Sequence, residues 1–249
     1  MSAPQSVQQH YNTHLGSIYS WTLGDTETAY ERSRDFLKSV GVLATKGQLA
    51  VDLGCGFGLH SIPVAQLGYQ VVAIDLCPEL LQALRAWMET LPIVVVEADL
   101  MEFDRYLSAK PNLVVCLGDT LTHLDSLESV QALLAKISSN LASGGRLILT
   151  FRDYVGTELK DSARFIPVRS TDERILTCFL EYCDNSVIVH DLVHERTPSG
   201  WQQRVSSYRK LRLNRDWVAT ILANHGISVV RHEIVRGMVT IVGEKPEKI

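Results

Sequence analysis

Short, uninterrupted apolar runs alternate along this chain with stretches whose apolar residues recur at helical spacing. The runs are LAVDLG (49–54), YQVVAIDL (69–76), IVVVEAD (93–99), LVVCLG (113–118) and RLILTF (146–151). A strand wetted on one face alternates apolar and polar residues. These runs do not, so both of their faces must be covered, as in a parallel sheet between helical layers. Helices are predicted between them. LHSIPVAQLG (59–68) is closed by Gly68, and PELLQALRAWMET (78–90) starts on Pro78. DSLESVQALLAKISSNLASGG (125–145) has Asp125 and Glu128 at capping-box spacing and ends on Gly144-Gly145. Strand–helix alternation with right-handed crossovers predicts a doubly wound α/β fold.

Two regions depart from the rhythm. TETAYERSRDFLKSVG (26–41) reads as a helix before the sheet, with Ala29, Phe36, Leu37 and Val40 on one face. Residues 165–213 change period: RILTCFLEYC (174–183), SVIVHDLVHER (186–196) and WQQRVSSYRKLRL (201–213) read as extended. Asp184-Asn185 and Pro198-Ser199-Gly200 supply turns between them. The expectation is an inserted, three-stranded antiparallel meander. A helix (215–226) capped by Asn214 and two strands (227–235, 238–244) follow. The expected organisation is an N-terminal helical lid (1–45), a core (46–164 and 214–249) and a β substrate-cap (165–213).

A length of 249 residues suits one large domain with an insertion. The net charge of −4 carries no basic footprint for nucleic acid or an anionic membrane. Cys55, Cys77, Cys116, Cys178 and Cys183 form no Cys-x-x-Cys pair, which points to neither a disulfide framework nor a zinc site, and no metal is expected. His190 and His194 share a strand face but lack a third ligand at clear spacing. The N-terminus has no signal-peptide core and no apolar run is long enough to span a bilayer. A reducing cytoplasm is the expected setting.

The first run leads into VDLGCGFG, with glycines at 54, 56 and 58. The dinucleotide fingerprint is G-x-G-x-x-G, and here its third glycine is replaced by Leu59. Asp52 also stands two residues ahead of the loop, a poor neighbour for pyrophosphate and a good one for a cation. The stretch resembles motif I of the class I S-adenosylmethionine-dependent methyltransferases. The resemblance runs on in register through Asp75 in VVAIDL, Asp99 in EADL and VVCLGDTLTHL (114–124). It implies a seven-stranded Rossmann-like sheet with its last strand antiparallel. It also implies S-adenosyl-L-methionine as methyl donor and S-adenosyl-L-homocysteine as product. Asp75 then matches the ribose-binding acid and Asp99 the acid beside adenine. The wider cofactor set is Tyr19, Trp21, Asp52, Gly54, Cys55, Gly56, Gly58, Leu76, Leu100, Leu117 and Gly118. In small-molecule members an N-terminal segment covers the cofactor, and Tyr11, Tyr19 and Trp21 offer aromatic faces that attract a sulfonium.

Ligands of open α/β sheets bind outside the strand carboxyl ends. Asp119 and His123, after the fourth apolar run, are therefore the candidate catalytic residues. Tyr11, Arg152 and Tyr154 are the candidate substrate-binding residues, Arg152 as a carboxylate clamp. Arg204, Arg209 and Arg212 are expected on solvated sheet faces, with Arg204 or Tyr208 the alternatives for reaching into a pocket. The insertion is similar to that of the glycine/sarcosine-type N-methyltransferases. The expected acceptor is a small-molecule amine, with hydroxyl and protein acceptors as alternatives, and a homodimer is compatible with the sequence. An NAD(P)-dependent dehydrogenase and a non-catalytic nucleotide-binding protein are the competing classes.

Overall fold

The computed structural model describes residues 4–247. Its first element is a broken helix: α1 (Val7–His10), a π-helical turn (Tyr11–Leu15) and α2 (Gly16–Thr22). Asp25 caps α3 (Thr26–Ser39) by accepting from the Thr28 N–H at 2.8 Å. Strands and helices then alternate: β1 (Leu49–Leu53), α4 (Ser61–Gln66), β2 (Gln70–Asp75), α5 (Pro78–Trp87), β3 (Ile93–Glu97), β4 (Leu113–Cys116), α6 (Leu127–Asn140) and β5 (Arg146–Arg152). A 3₁₀ segment at Leu100–Tyr106 was not anticipated; Asp99 caps it. Helix α6 starts two residues later than expected and ends at Asn140. Ser126, not Asp125, caps it, because the Ser126 hydroxyl accepts from the Ser129 N–H.

The sheet is completed after a long excursion by α7 (Arg215–Asn224), β10 (Ser228–Val235) and β11 (Met238–Glu244). Asn214 caps α7 through the Asp216 and Trp217 N–H groups. Strand order is β10-β11-β5-β4-β1-β2-β3. All neighbours pair in parallel except β11, which runs antiparallel to both β5 and β10. The continuous apolar runs are explained by what covers them. Val51, Leu53, Val72 and Ile74 meet α6 and α7 on one face. Ala50, Val71 and Ala73 meet α3, α4 and α5 on the other. From β1 the chain winds outward to β3, then crosses back to β4 on the opposite side of β1. This reversal opens a crevice at the carboxyl ends of β1 and β4.

The excursion is a second, antiparallel sheet of four strands, one more than expected: β6 (Phe165–Ser170), β7 (Arg174–Tyr182), β8 (Ser186–Thr197) and β9 (Gly200–Leu211). Strand β6 carries Pro167, which a sheet tolerates at an edge, and its pairing shifts register just beyond that residue. Leu180, Val187, Val189 and Tyr208 pack around Tyr154. Leu176 and Val193 pack on Leu15 and Ile18 of the N-terminal segment. No helix among the described residues is long and apolar enough to cross a membrane.

Candidate active site

The crevice holds a cavity of about 320 Å³, walled by the glycine loop, the ends of β2 and β4, the 3₁₀ segment and the N-terminal segment. At its floor the Gly54 and Cys55 N–H groups both donate to the Ile74 carbonyl, at 2.9 and 3.0 Å. Gly54 has φ +74°, and a Cβ there would stand 2.3 Å from the Thr120 methyl. The loop therefore needs glycine twice over, for conformation and for space. Asp75 closes β2. Its carboxylate accepts from the Gly56 N–H at 2.8 Å and the Cys77 N–H at 2.9 Å, fixing the carboxylate at the cavity wall. Burial pushes its carboxyl above the ordinary range. Leu76, Leu100 and Leu117 add apolar wall, and Asp99 lines it while holding the Met101 N–H at 2.8 Å.

Tyr11 and Tyr19 close the other side, edge to face with ring centres 5.5 Å apart. His123 stands beside Tyr11 at 5.9 Å and Tyr208 at 5.6 Å. Its buried Nε2 has no hydrogen-bond partner, although the ring lines the cavity. Burial, reinforced by the Lys210 ammonium, pushes the imidazole down to about 3, so it is neutral at physiological pH.

Of the residues expected from sequence, Tyr11, Tyr19, Gly54, Cys55, Gly56, Asp75, Leu76, Asp99, Leu100, Leu117, Gly118 and His123 are brought together on the cavity wall. The others are not. Asp52 is buried beneath the loop and accepts from the Ser61 hydroxyl at 2.6 Å, so it pins the start of α4. Gly58 packs against α5, where a Cβ would meet Leu84 at 2.3 Å. Trp21 faces cations, but those of Arg169 and Arg174, each 5.1 Å from its ring. The Arg152 side chain is exposed, and only its backbone N–H reaches inward, to Asp119. Tyr154 is buried and donates its hydroxyl to Asp119.

Asp119 itself is turned away from the cavity. At φ +91° and 3% exposed, it accepts from Lys210 of β9 at 2.6 Å, from the Arg152 N–H at 2.8 Å and from Tyr154 at 3.2 Å. Burial alone would raise its carboxyl; the Lys210 ammonium and the Arg152 N–H, with His123 nearby, together offset that and hold it low. Lys210 is raised in return, since Asp119 together with the hydroxyls of Tyr154 and Tyr19 offsets the cost of its burial. The pair ties the loop after β4 to the second sheet.

A second tie holds the N-terminal segment. His10 is fully buried between Asp191 of β8, at 2.9 Å, and the Ser206 hydroxyl of β9, at 2.8 Å, with its ring stacked on Tyr208 at 4.2 Å. Beside it Arg204, expected on a solvated face, is half-buried. It donates to the His14 carbonyl at 2.6 Å and pairs with Glu195 at 3.3 Å. Arg212 is also half-buried and donates to the Tyr154 carbonyl at 3.0 Å, whereas Arg209 is exposed. His190 pairs with Glu181 at 2.9 Å. Sequence reasoning missed Lys210 and His10. The signal for Lys210 was parity: it shares a strand face with Tyr208.

The strand order, with β11 reversed between β5 and β10, is the class I methyltransferase fold, and residues 50–145 match the family described as "Methyltransferase domain". A glycine/sarcosine N-methyltransferase from Aphanothece halophytica is 32% identical over 42% of this chain and 40% of its own. A ubiquinone biosynthesis O-methyltransferase from Xanthomonas euvesicatoria is 35% identical over 43% of this chain and 44% of its own. The chain thus spans less than half of either relative. Among solved structures, an amino pentose methyltransferase from Micromonospora echinaspora, with S-adenosylmethionine bound, superposes with a TM-score of 0.73. It is 17% identical and the match covers 91% of this chain and 94% of that one.

Proposed function

We propose that this protein is an S-adenosylmethionine-dependent methyltransferase acting on the amine nitrogen of a small molecule. The observation that carries the reading is Asp75. Its carboxylate is held by the Gly56 and Cys77 N–H groups at the mouth of β2, next to Gly54, where a Cβ has no room. A fixed carboxylate of this kind suits two vicinal hydroxyls of a ribose, and Leu76 and Leu100 supply apolar wall for a base. The dehydrogenase alternative is disfavoured by Leu59, which stands where the dinucleotide fingerprint has its last glycine.

When bound, S-adenosylmethionine supplies an activated methyl: the acceptor nitrogen's lone pair forms the N–C bond, the S–C pair stays on sulfur, and the surplus proton passes to water. The chain's own contribution is placement and exclusion of water. Tyr11 and Tyr19 close the cavity with aromatic faces that favour a cation. His123 stays neutral, so it serves as a hydrogen-bond partner that orients the acceptor and does not store its proton. Asp119 acts as a positioning residue through Lys210. The N-methyltransferase name of the Aphanothece relative supports nitrogen as acceptor. The Xanthomonas relative keeps oxygen as the second reading. The same reading expects a cytoplasmic enzyme.

Titration calorimetry with S-adenosylhomocysteine tests the proposal. Asp75→Asn keeps the side-chain shape but removes the charge-assisted acceptor, and affinity should fall by about 1.5–3 kcal/mol, roughly 10- to 150-fold. An unchanged affinity, or no binding by the parent protein, overturns it.

A further inference from the structure

The charge inventory of the cavity narrows the acceptor. Three carboxylates lie on the wall, Asp75 and Asp99 on the side read above as the donor's and Asp125 just before α6, and no lysine or arginine does so among the described residues. The nearby cations lie off the wall. Lys210 is bound to Asp119, and Arg204 to Glu195 and the His14 carbonyl. Arg209 donates to the Asp125 carbonyl from outside the wall, and the Arg152 side chain is exposed.

A helix amino end can replace a cation for an anionic ligand, and α6 begins at the rim with Ser129 on the wall. That end is already satisfied. Ser126 caps it, and Asp125 and Glu128 bring two negative charges to it. What the wall does offer is neutral hydrogen-bonding capacity. The buried Nε2 of His123 lacks a partner and is ready for one, and Gln8 lines the same wall.

A carboxylate-bearing amine placed here finds carboxylates on the wall and no cation to pair with. A hydroxylated amine needs no such cation. Its body can hydrogen-bond to the neutral groups while its nitrogen lies under the two tyrosine faces. Building on the methyltransferase reading above, we infer that the acceptor is a hydroxylated amine without a carboxylate, of the amino-alcohol or amino-sugar class, and not an amino acid.

Matched pairs test this, with release of S-adenosylhomocysteine as readout at saturating donor. Ethanolamine is compared with glycine, serinol with serine, and glucosamine with glucosaminic acid. The hydroxylated member should exceed its carboxylate counterpart in kcat/KM by about a hundredfold. Turnover of any carboxylate-bearing member at a rate equal to or above its partner overturns the inference. So does calorimetric binding of S-adenosylmethionine with no turnover of any carboxylate-free amine. Absence of donor binding in the same calorimeter strikes instead at the methyltransferase reading, and the inference falls with it.

Discussion

Lys210→Met tests the tie between the two sheets. The Lys210 and Asp119 side chains are 11% and 5% exposed, and their charged atoms are 2.6 Å apart. Methionine fills much of the lysine stem but removes the ammonium. Asp119 is then a buried carboxylate left with the Arg152 N–H and the Tyr154 hydroxyl. Breaking one side of a buried pair costs about 3–5 kcal/mol, whereas replacing both sides is often near neutral. At pH 7, urea unfolding followed by tryptophan fluorescence should show that loss for Lys210→Met. The double variant Asp119→Asn/Lys210→Met should lie within about 2 kcal/mol of the parent. The sign with pH follows. In the parent the Asp119 carboxyl is depressed, so its contribution is present above the ordinary value of 3.8 and lost as pH falls through the depressed one. Without Lys210 burial is no longer offset by the ammonium and the carboxyl rises. The gap between variant and parent should therefore narrow as pH falls through the raised value. A single-variant loss below about 1 kcal/mol, the range of an exposed pair, would refute the reasoning, as would a double variant no more stable than the single one.

Gly54→Ala introduces a Cβ 2.3 Å from the Thr120 methyl at φ +74°. Strain of about 1–3 kcal/mol plus the clash should lower Tm and abolish calorimetric binding of S-adenosylhomocysteine. Retention of parental affinity would contradict the close approach. Burial holds the imidazoles of His14 and His60 near 4 and that of His123 near 3, against an ordinary 6.5. Each resists charging in the fold, so together they make stability rise with pH up to about 6.5. Asp52, raised by burial from 3.8 to about 7, opposes them across that window because its protonated form favours the fold. Asp52→Asn should therefore steepen the rise in denaturant midpoint between pH 4.5 and 6.5; an unaltered slope would count against a protonated Asp52. His10→Ala empties the site between Asp191 and Ser206. Hydrogen exchange should accelerate in residues 5–22, and acceptor KM should rise more than donor Kd. Parental exchange there would mean that His10 is not what holds the segment.

What could be read from the chain, and what could not, divides by distance along it. The parallel sheet was legible because covering both faces of a strand leaves a continuous apolar run, visible within six residues. The floor of the site was legible for a similar reason. Asp75 meets Gly56 across 19 residues, within one strand–turn–helix–strand unit. Strand β6 was not legible. Its run FIPVRS is short, carries a proline and is paired on one side only. Trp21 could be recognised as a residue that seeks a cation, but its partners, Arg169 and Arg174, lie about 150 residues away on the second sheet.

The two ties show the limit most clearly. Lys210 and Asp119 are 91 residues apart, and His10 and Asp191 are 181 apart. A single pair of side chains leaves no periodicity, so nothing local marks either partner. Strand parity did hold part of the answer. In SSYRKL the residues sharing the Tyr208 face are Ser206 and Lys210, and a lysine on the buried side of a strand requires a buried acceptor. With 28 acidic residues in the chain, parity alone could not say which one. Tyr208 shows why the choice matters to chemistry. It stacks on His10 at 4.2 Å, stands edgewise to His123 at 5.6 Å and lies 6.3 Å from Tyr11. One ring of the second sheet thus touches the anchor of the N-terminal segment, the unpartnered imidazole and a wall of the cavity. On the proposed reading the acceptor side is consequently assembled from three distant segments joined by the two buried ties. On that reading, motifs find the donor side, which is local, and name Tyr11 and His123 for the acceptor side, but not the ties through Lys210 and His10 that hold those residues in place.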